Sequence, residues 1–252
     1  MLTKRYVIKI GTNILTDTHQ RLDLNNMRHL VQQISKEIQN SSNIECIIVS
    51  SGAITCGSKH MNMSIQKLNE KQAAASIGQI LLFKQYFDFF QSNGLCAAQL
   101  LITKDNLNHP EKTKNIQDTI HTLLDHGVIP IINENDSVST EEIQFGDNDQ
   151  LSAQLATKVH ADHLIILTNA DGVLDSNHNV IPHLTKITDN ELSLVQDQLS
   201  SPYSKGGMRS KLMAAKLAIE HHIPVTIANG RTENIIHQLF NKVPVGTHIS
   251  LS

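Results

Sequence analysis

The segment VSSGAITCGSK, Val49–Lys59, ends the apolar run IECIIV and then places Gly52, four residues, Gly57, Ser58 and Lys59. This is one residue away from a phosphate loop. In a working loop the lysine follows the second glycine directly, so that its ammonium reaches the β and γ phosphates while backbone N–H groups wrap them. Here Lys59 comes one residue late, at a position that falls inside or beyond a helix. The chain also offers no aspartate-ended strand to hold magnesium in the P-loop manner. The better reading of SSGA is a glycine-permitted turn between a buried strand and a helix, with N–H groups and serine hydroxyls meeting a carboxylate or phosphate there.

Working outward, the strand-turn-helix unit recurs along the chain. YVIKI (Tyr6–Ile10) is a strand ending at Gly11, and Met27, Leu30, Val31, Ile34 and Ile38 then keep helical spacing behind Asp23 or Asn25 as caps. A long helix is expected over Glu70–Phe90, followed by LCAAQLL. Ile116, Ile120, Leu123 and Leu124 mark a helix stopped at Gly127, and VIPII (Val128–Ile132) comes next as a strand. QLSAQLATKV reads as a helix, HLIIL (His163–Leu167) as a buried strand, and Asp171–Pro182 as a hairpin turning at SNHN. A helix from about Ser210 to His221, the strand PVTIA and a short helix near Asn234–Phe240 close the chain. Such alternation predicts parallel strands with crossover helices on both faces, a three-layer α/β/α sandwich with a mainly parallel central sheet. No linker, composition shift or repeat divides the chain, so one domain over 1–252 is expected.

Bulk composition excludes several classes. Hydrophobic residues at 40% and charged residues at 18% suit a globular protein and not a disordered one. A formal charge of −3 offers no footprint for nucleic acid, and no basic run suggests a membrane surface. The N-terminal apolar run is too short for a signal peptide or spanning helix, which implies a cytoplasmic location. Cys46, Cys56 and Cys96 lack metal-ligand spacing; Cys46 and Cys96 sit in strand-like segments, where buried reduced thiols are expected.

In a sheet of this kind, ligands collect beyond the carboxyl ends of the strands. At those ends the chain places KIGTN, SSGA, NENDS with GDND, TNADG and NG. Five small, polar or acidic loops on one edge define a site. Lys9 is the sharpest residue among them, since a lysine inside YVIKIG weakens the sheet unless it points at something. Lys211, five residues after the first glycine of GGMRSK, lies where a glycine loop runs into a helix. Converging from opposite ends of the chain, the two could neutralise a transferring phosphoryl group. In GDND, Asp147 or Asn148 can cap the next helix, but three Asp/Asn residues exceed what a cap needs. Glu134, Asp136, Asp147 and Asp149 make the edge strongly negative, which fits a divalent metal, lysine partners or an amino group on the substrate.

KIGTN, VSSGAI, IPIINENDSV, FGDNDQLSA, LTNADGVLD and GGMRSKL occur in the order seen in the amino acid kinase family, which the chain resembles from about Tyr6 to about Thr247. The pattern is most similar to members that phosphorylate the γ-carboxylate of L-glutamate with ATP, the first step of proline synthesis. That resemblance implies Lys9 and Lys211 on the ATP phosphates, with Asp149 holding both ammonium groups. It implies Ser51, Asp136 and Asn148 on glutamate, with Asn133 and Asp147 shaping the pocket. Gly11 and Gly52 would let main-chain N–H groups approach phosphate. Thr168, Asn169 and the loop Lys205, Gly206, Gly207, Met208, Arg209, Ser210 and Lys211 would line the nucleotide. Magnesium would come with ATP and take no direct protein ligand. The resemblance further implies a homo-oligomer (dimer or tetramer), feedback inhibition by proline, and glutamate-5-semialdehyde dehydrogenase as the next enzyme. The chain departs from the pattern at Asn169, where aspartate is usual, at Ser204-Lys205, where Gly-Thr is usual, and in ending at Ser252 without the RNA-binding-type PUA domain of many members.

The chemistry agrees with this inventory. A γ-carboxylate with an ordinary pKa of about 4.3 is already ionised, so the reaction needs no general base. N-acetylglutamate or carbamate kinases of the same fold form a second reading, and Asp136 and Asp147 argue against an acetylated nitrogen. A non-catalytic amino-acid sensor forms a third, motivated by Asn169 and Lys205 and opposed by Lys9, Asp149 and Lys211.

Overall fold

Period-two alternation sorts the strands into two faces. In β1 (Lys4–Ile10), Val7 packs in one core while Tyr6, Ile8 and Ile10 pack in the other. The structure, a computed structural model, describes residues 3–62, 64–138, 147–188, 191–192 and 207–251. Its other strands are β2 (Ile44–Ser50), β3 (Cys96–Ile102), β4 (Val128–Glu134), β5 (His163–Thr168), β6 (His183–Leu184), β7 (Val225–Asn229) and β8 (Thr247–Ile249). They form one sheet in the order β3-β4-β2-β1-β5-β7-β8-β6, parallel throughout except at β7–β8. The five strands whose carboxyl-end loops read as a site, β4, β2, β1, β5 and β7, are therefore consecutive neighbours.

Helices cover both faces, giving the expected α/β/α sandwich. On the Val7 face lie α5 (Lys104–Asn108), α6 (Pro110–Asp125), α7 (Asp147–Lys158) and α8 (Gly207–Glu220), through Leu107, Ile120, Leu151, Leu155, Leu212 and Ile219. On the Ile8 face lie α1 (Thr12–Leu15), α2 (Leu24–Asn40), α4 (Leu68–Ser92) and α9 (Ile235–Phe240). Helix α2 buries Met27, Leu30, Val31 and Ile34, and the Asp23 carboxylate caps it by accepting from the Asn26 N–H. Helix α3 (Ala53–Met61) starts at Gly52 and packs on α4 through Gly57 and Gly78. Of the aromatic stripe on α4, Tyr86, Phe89 and Phe90 are core, while Phe83 and Phe87 are half-buried.

Several local expectations hold and a few need correction. Gly127 adopts φ +67° behind α6, and its N–H bonds the Leu124 carbonyl. The hairpin at SNHN forms, bridged at Leu174 and Val180, with Asp175 Oδ1 accepting from the N–H groups of Asn177 and Asn179. Cys96, expected to be buried, is exposed, because β3 is the edge strand and Cys96 begins it. The antiparallel return of β8 onto β7 went unread: three residues are too short for periodicity to register.

At the amino edge, away from the strand-end loops, His163 stacks on Tyr6 and its Nε2 lies 2.9 Å from the Thr226 hydroxyl. Burial, then the neighbouring His248 and Lys242, pulls its pKa down to about 4. Between that value and the ordinary one, the unfolded chain binds a proton that the folded chain does not. Stability is therefore lost as pH falls from about 6.5 to about 4, by at most about 3 kcal/mol, and this contribution stays flat below that. Chemical denaturation of wild type and His163→Gln across this range is expected to show the shallower slope in the variant.

Candidate active site

Lys9 comes two residues after Val7 and so faces the same side of the sheet, beneath α7 and α8. There it is 5% exposed, in a position where a lone ammonium would be untenable. Asp149, in the first turn of α7, meets it: Lys9 Nζ lies 2.5 Å from Asp149 Oδ1. Lys211, one turn into α8, donates to Asp149 Oδ2 at 3.2 Å and to the Gly207 carbonyl at 3.3 Å. Three elements far apart in sequence thus meet in a cation–carboxylate–cation triad.

The electrostatics of the triad arise from burial. Desolvation disfavours the Asp149 carboxylate, but the charges and hydrogen bonds of Lys9 and Lys211 outweigh it and hold the pKa below the usual value. Lys9 is pulled below its ordinary pKa by burial, opposed by Asp149 and reinforced by Lys211. We read both as ionised at neutral pH, because a proton lost from Lys9 would leave the buried carboxylate with one cation fewer. Asp149 is a holder: it fixes two mutually repelling ammonium groups side by side.

The turn that leaves β1 lies next to the triad, and the Gly11 N–H, expected to face phosphate, is engaged with the neighbouring strand. Gly11 leaves β1 at its carboxyl end, and its N–H donates to the Leu167 carbonyl of β5 at 3.1 Å. A side chain there would begin 3.1 Å from that carbonyl and 3.6 Å from Lys9 Nζ. The chain leaving β1 enters the α1/α2 layer, and the chain after β5 returns through α8 on the opposite face. The β1/β5 crevice is therefore a topological switch point, where ligands bind in open α/β sheets. Gly52, at φ +96°, makes the sharp exit from β2 into α3. Lys59 lies in the last turn of α3 and is exposed, so the near-match to a phosphate loop carries no lysine to this crevice.

On the other side of β1, the ends of β2 and β4 are neighbours. Ser51, Asn133 and Asp136 are all buried there. Asn148 Nδ2 donates to Asn133 Oδ1 at 3.1 Å, which joins α7 to β4. The Ser50 hydroxyl lies 3.2 Å from the Tyr86 hydroxyl, anchoring the β2 end to α4. At the end of β5, Thr168 is buried, while Asn169 is exposed. Met208 is buried in the first turn of α8, Arg209 is exposed and Ser210 half-buried. Ser204, Lys205 and Gly206 lie outside the described residues, as does the side chain of Asp147.

The structure adds residues that sequence reading passed over. Arg231 donates to Asp23 Oδ2 (2.7 Å) and to the carbonyls of Asn13 and Thr16, so it ties the loop after β7 to the loop after β1. Asn229 donates to Asp171 Oδ1 at 2.9 Å, tying β7 to the loop after β5. Gln79 joins α4 to β4 through Glu134 and Asn133. Its one sequence signal was a lone amide after Gly78 in an otherwise apolar helix segment.

A dry pair of lysines held by one carboxylate, beside glycine turns at a switch point, defines an α/β phosphoryl-handling protein that works without a P-loop. Comparison with known proteins agrees. The pattern of the amino acid kinase family matches residues 4–229. Among relatives, the glutamate 5-kinase of Hydrogenovibrio crunogenus is 40% identical over 97% of this chain and 66% of that protein. The glutamate 5-kinase of Marinomonas sp. is 40% identical over 97% of this chain and 67% of its own length. That of Clostridium acetobutylicum is 39% identical over 96% of this chain and 93% of its own length. The chain thus spans about two thirds of the first two relatives and nearly all of the third. The chain belongs to the amino acid kinase family, whose members use ATP.

Proposed function

We propose that the chain transfers the γ-phosphoryl group of ATP to the γ-carboxylate of L-glutamate, giving L-glutamyl 5-phosphate and ADP. The observation that carries this is the Lys9–Asp149–Lys211 triad beside Gly11. The names of the relatives support the acceptor. So does the cluster of Ser51, Asn133, Asp136 and Asn148 on the far side of β1, where an acidic group suits a substrate with a free amino group.

The glutamate carboxylate oxygen attacks the γ phosphorus, and the bond to the bridging β–γ oxygen breaks to release ADP. No proton moves, so no base is required. The barrier is the approach of one anion to another. Lys9 and Lys211 lower it by placing two positive charges where negative charge builds on the transferring group. Asp149 keeps them at the spacing that serves both. Magnesium accompanying ATP would supply further neutralisation of the phosphates. In this reading the product feeds a reductase, as an acyl phosphate must be consumed before water hydrolyses it.

A hydroxylamine trap tests the reading. Hydroxamate is expected with glutamate, ATP and magnesium, and not with N-acetylglutamate. Hydroxamate from N-acetylglutamate alone would overturn the acceptor, and none from either would overturn the kinase reading. Lys211→Ala, which removes one phosphate-directed charge, is expected to lower kcat by about 100- to 1000-fold while the protein stays folded.

A further inference from the structure

One turn of α4 reaches both walls of the acceptor side. Gly78 lies against Ala53, just past the Ser51–Gly52 turn, and Gln79 lies against the end of β4. Gln79 is 5% exposed, and its two hydrogen bonds are directional. The Glu134 carbonyl can only accept, so Gln79 offers it Nε2 at 3.0 Å and turns Oε1 to Asn133. Asn133 must then donate its Nδ2 to Oε1, at 3.1 Å. That leaves Asn133 Oδ1 to accept from the Glu134 N–H at 2.9 Å and from Asn148 Nδ2 at 3.1 Å. Asn148 is left with its carbonyl oxygen, which is buried and has no partner among the described residues. Two backbone groups of Glu134, its carbonyl acting through Gln79 and its N–H acting directly, therefore hold three side-chain amides in one orientation. Ser76 adds a second tether from the same turn, with its hydroxyl 2.9 Å from that of Ser137, beside Asp136.

We propose that Gln79 is a positioning residue for the acceptor substrate: it orders the Asn133 and Asn148 amides so that Asn148 Oδ1 faces an N–H donor of that substrate. This rests on the glutamate-kinase reading. A buried acceptor left unpaired is unfavourable, so the site gains most from a ligand that supplies the missing N–H group. With the Gln79 bonds lost, the Asn133 NH₂ has no partner and its amide is held by the Glu134 N–H alone, so the Asn133–Asn148 pair can shift and Asn148 Oδ1 is no longer firmly placed. Glutamate then meets a less firmly placed acceptor, and its binding weakens while the phosphate side is untouched.

The test is Gln79→Met, which keeps the volume and burial and loses both hydrogen bonds. Glutamate KM is expected to rise about tenfold, with ATP KM changed by less than about twofold. Gln79→Glu keeps an acceptor facing Asn133, so its glutamate KM should lie nearer wild type than that of the methionine variant. An activity-independent readout is the heteronuclear spectrum of the unliganded protein, in which the Asn133 and Asn148 side-chain amide signals should shift in Gln79→Met. Unchanged glutamate KM, or equal rises in both KM values, overturns the proposal. If wild type does not phosphorylate glutamate, the functional reading falls by itself, and Asn148 amide signals that stay in place then overturn the relay as well.

Discussion

Asp149→Asn is expected to lower kcat by about 1000-fold or more, although the substituted group touches neither the attacking oxygen nor the leaving one. The change is isosteric and removes only charge. Lys9 and Lys211 would then face each other with side chains 6% and 12% exposed and no counter-ion between them. Removing one partner from a buried ionic group costs about 3–5 kcal/mol, because the remaining charge stays desolvated. The folded variant relieves that cost by releasing the Lys9 proton or by swinging Lys211 outward, and either route discards a charge that the proposed reaction uses on phosphate. The pH dependence of stability then has a definite sign. In the variant, folded Lys9 binds its proton more weakly than the unfolded chain does, so stability should rise with pH over the alkaline range below about 10.4. Steady-state kinetics with both substrates saturating, together with urea denaturation at several pH values, measures both effects. A kcat within tenfold of wild type would remove Asp149 from the machinery.

Gly78→Ala is expected to lower the melting temperature by about 5–10 °C and to raise glutamate KM by tens of fold, for a single added methyl group. A Cβ at this position would sit 1.7 Å from the Ala53 carbonyl oxygen and 2.9 Å from the Gly57 nitrogen. Both are backbone atoms, so no rotamer change relieves the overlap. Gly57 makes the reciprocal contact, its Cβ position lying 1.8 Å from the Ala74 carbonyl oxygen, so the two helices cross backbone to backbone. The added methyl must therefore drive α3 away from α4. Because α3 begins at Gly52, the Ser51–Gly52 turn moves with it, and a shift of about 1 Å at a reacting site can lower a rate about 100-fold. Ile80, two residues along the same helix and 72% exposed, provides the control, since Ile80→Ala should change neither quantity. A Gly78→Ala protein with native melting temperature and native glutamate KM would show that the crossing tolerates the methyl group.

Much of the fold was open to reading because each strand announces itself locally. IECIIV, VIPII and HLIIL are too apolar and β-branched for anything but a strand buried on both faces. Lys9 stood out for the same reason, as a charge in a stretch that otherwise has no place for one. Its partner did not, since nothing in the spacing of Lys9, Asp149 and Lys211 says that they touch; the resemblance, not periodicity, linked them. Cys96 shows the opposite failure. Its apolar neighbours suggest burial, but edge position is a property of the sheet and not of the segment. Gln79 shows a third, for a polar residue on a helix does not reveal which strand end it meets.

By itself the sequence determined which residues form the long buried strands, which face each of those residues takes and which small and acidic residues lie just past each strand, because dihedral preference and side-chain period are local properties. Tertiary structure alone decided that β1 and β5 are neighbours, that α7 and α8 bring Asp149 and Lys211 over Lys9, and that α4 crosses α3 closely enough to place Gln79 against β4. Those outcomes depend on which element covers which face, a choice made by packing between whole elements, among them pairs 62 residues apart at Asp149 and Lys211 and 55 apart at Gln79 and Glu134.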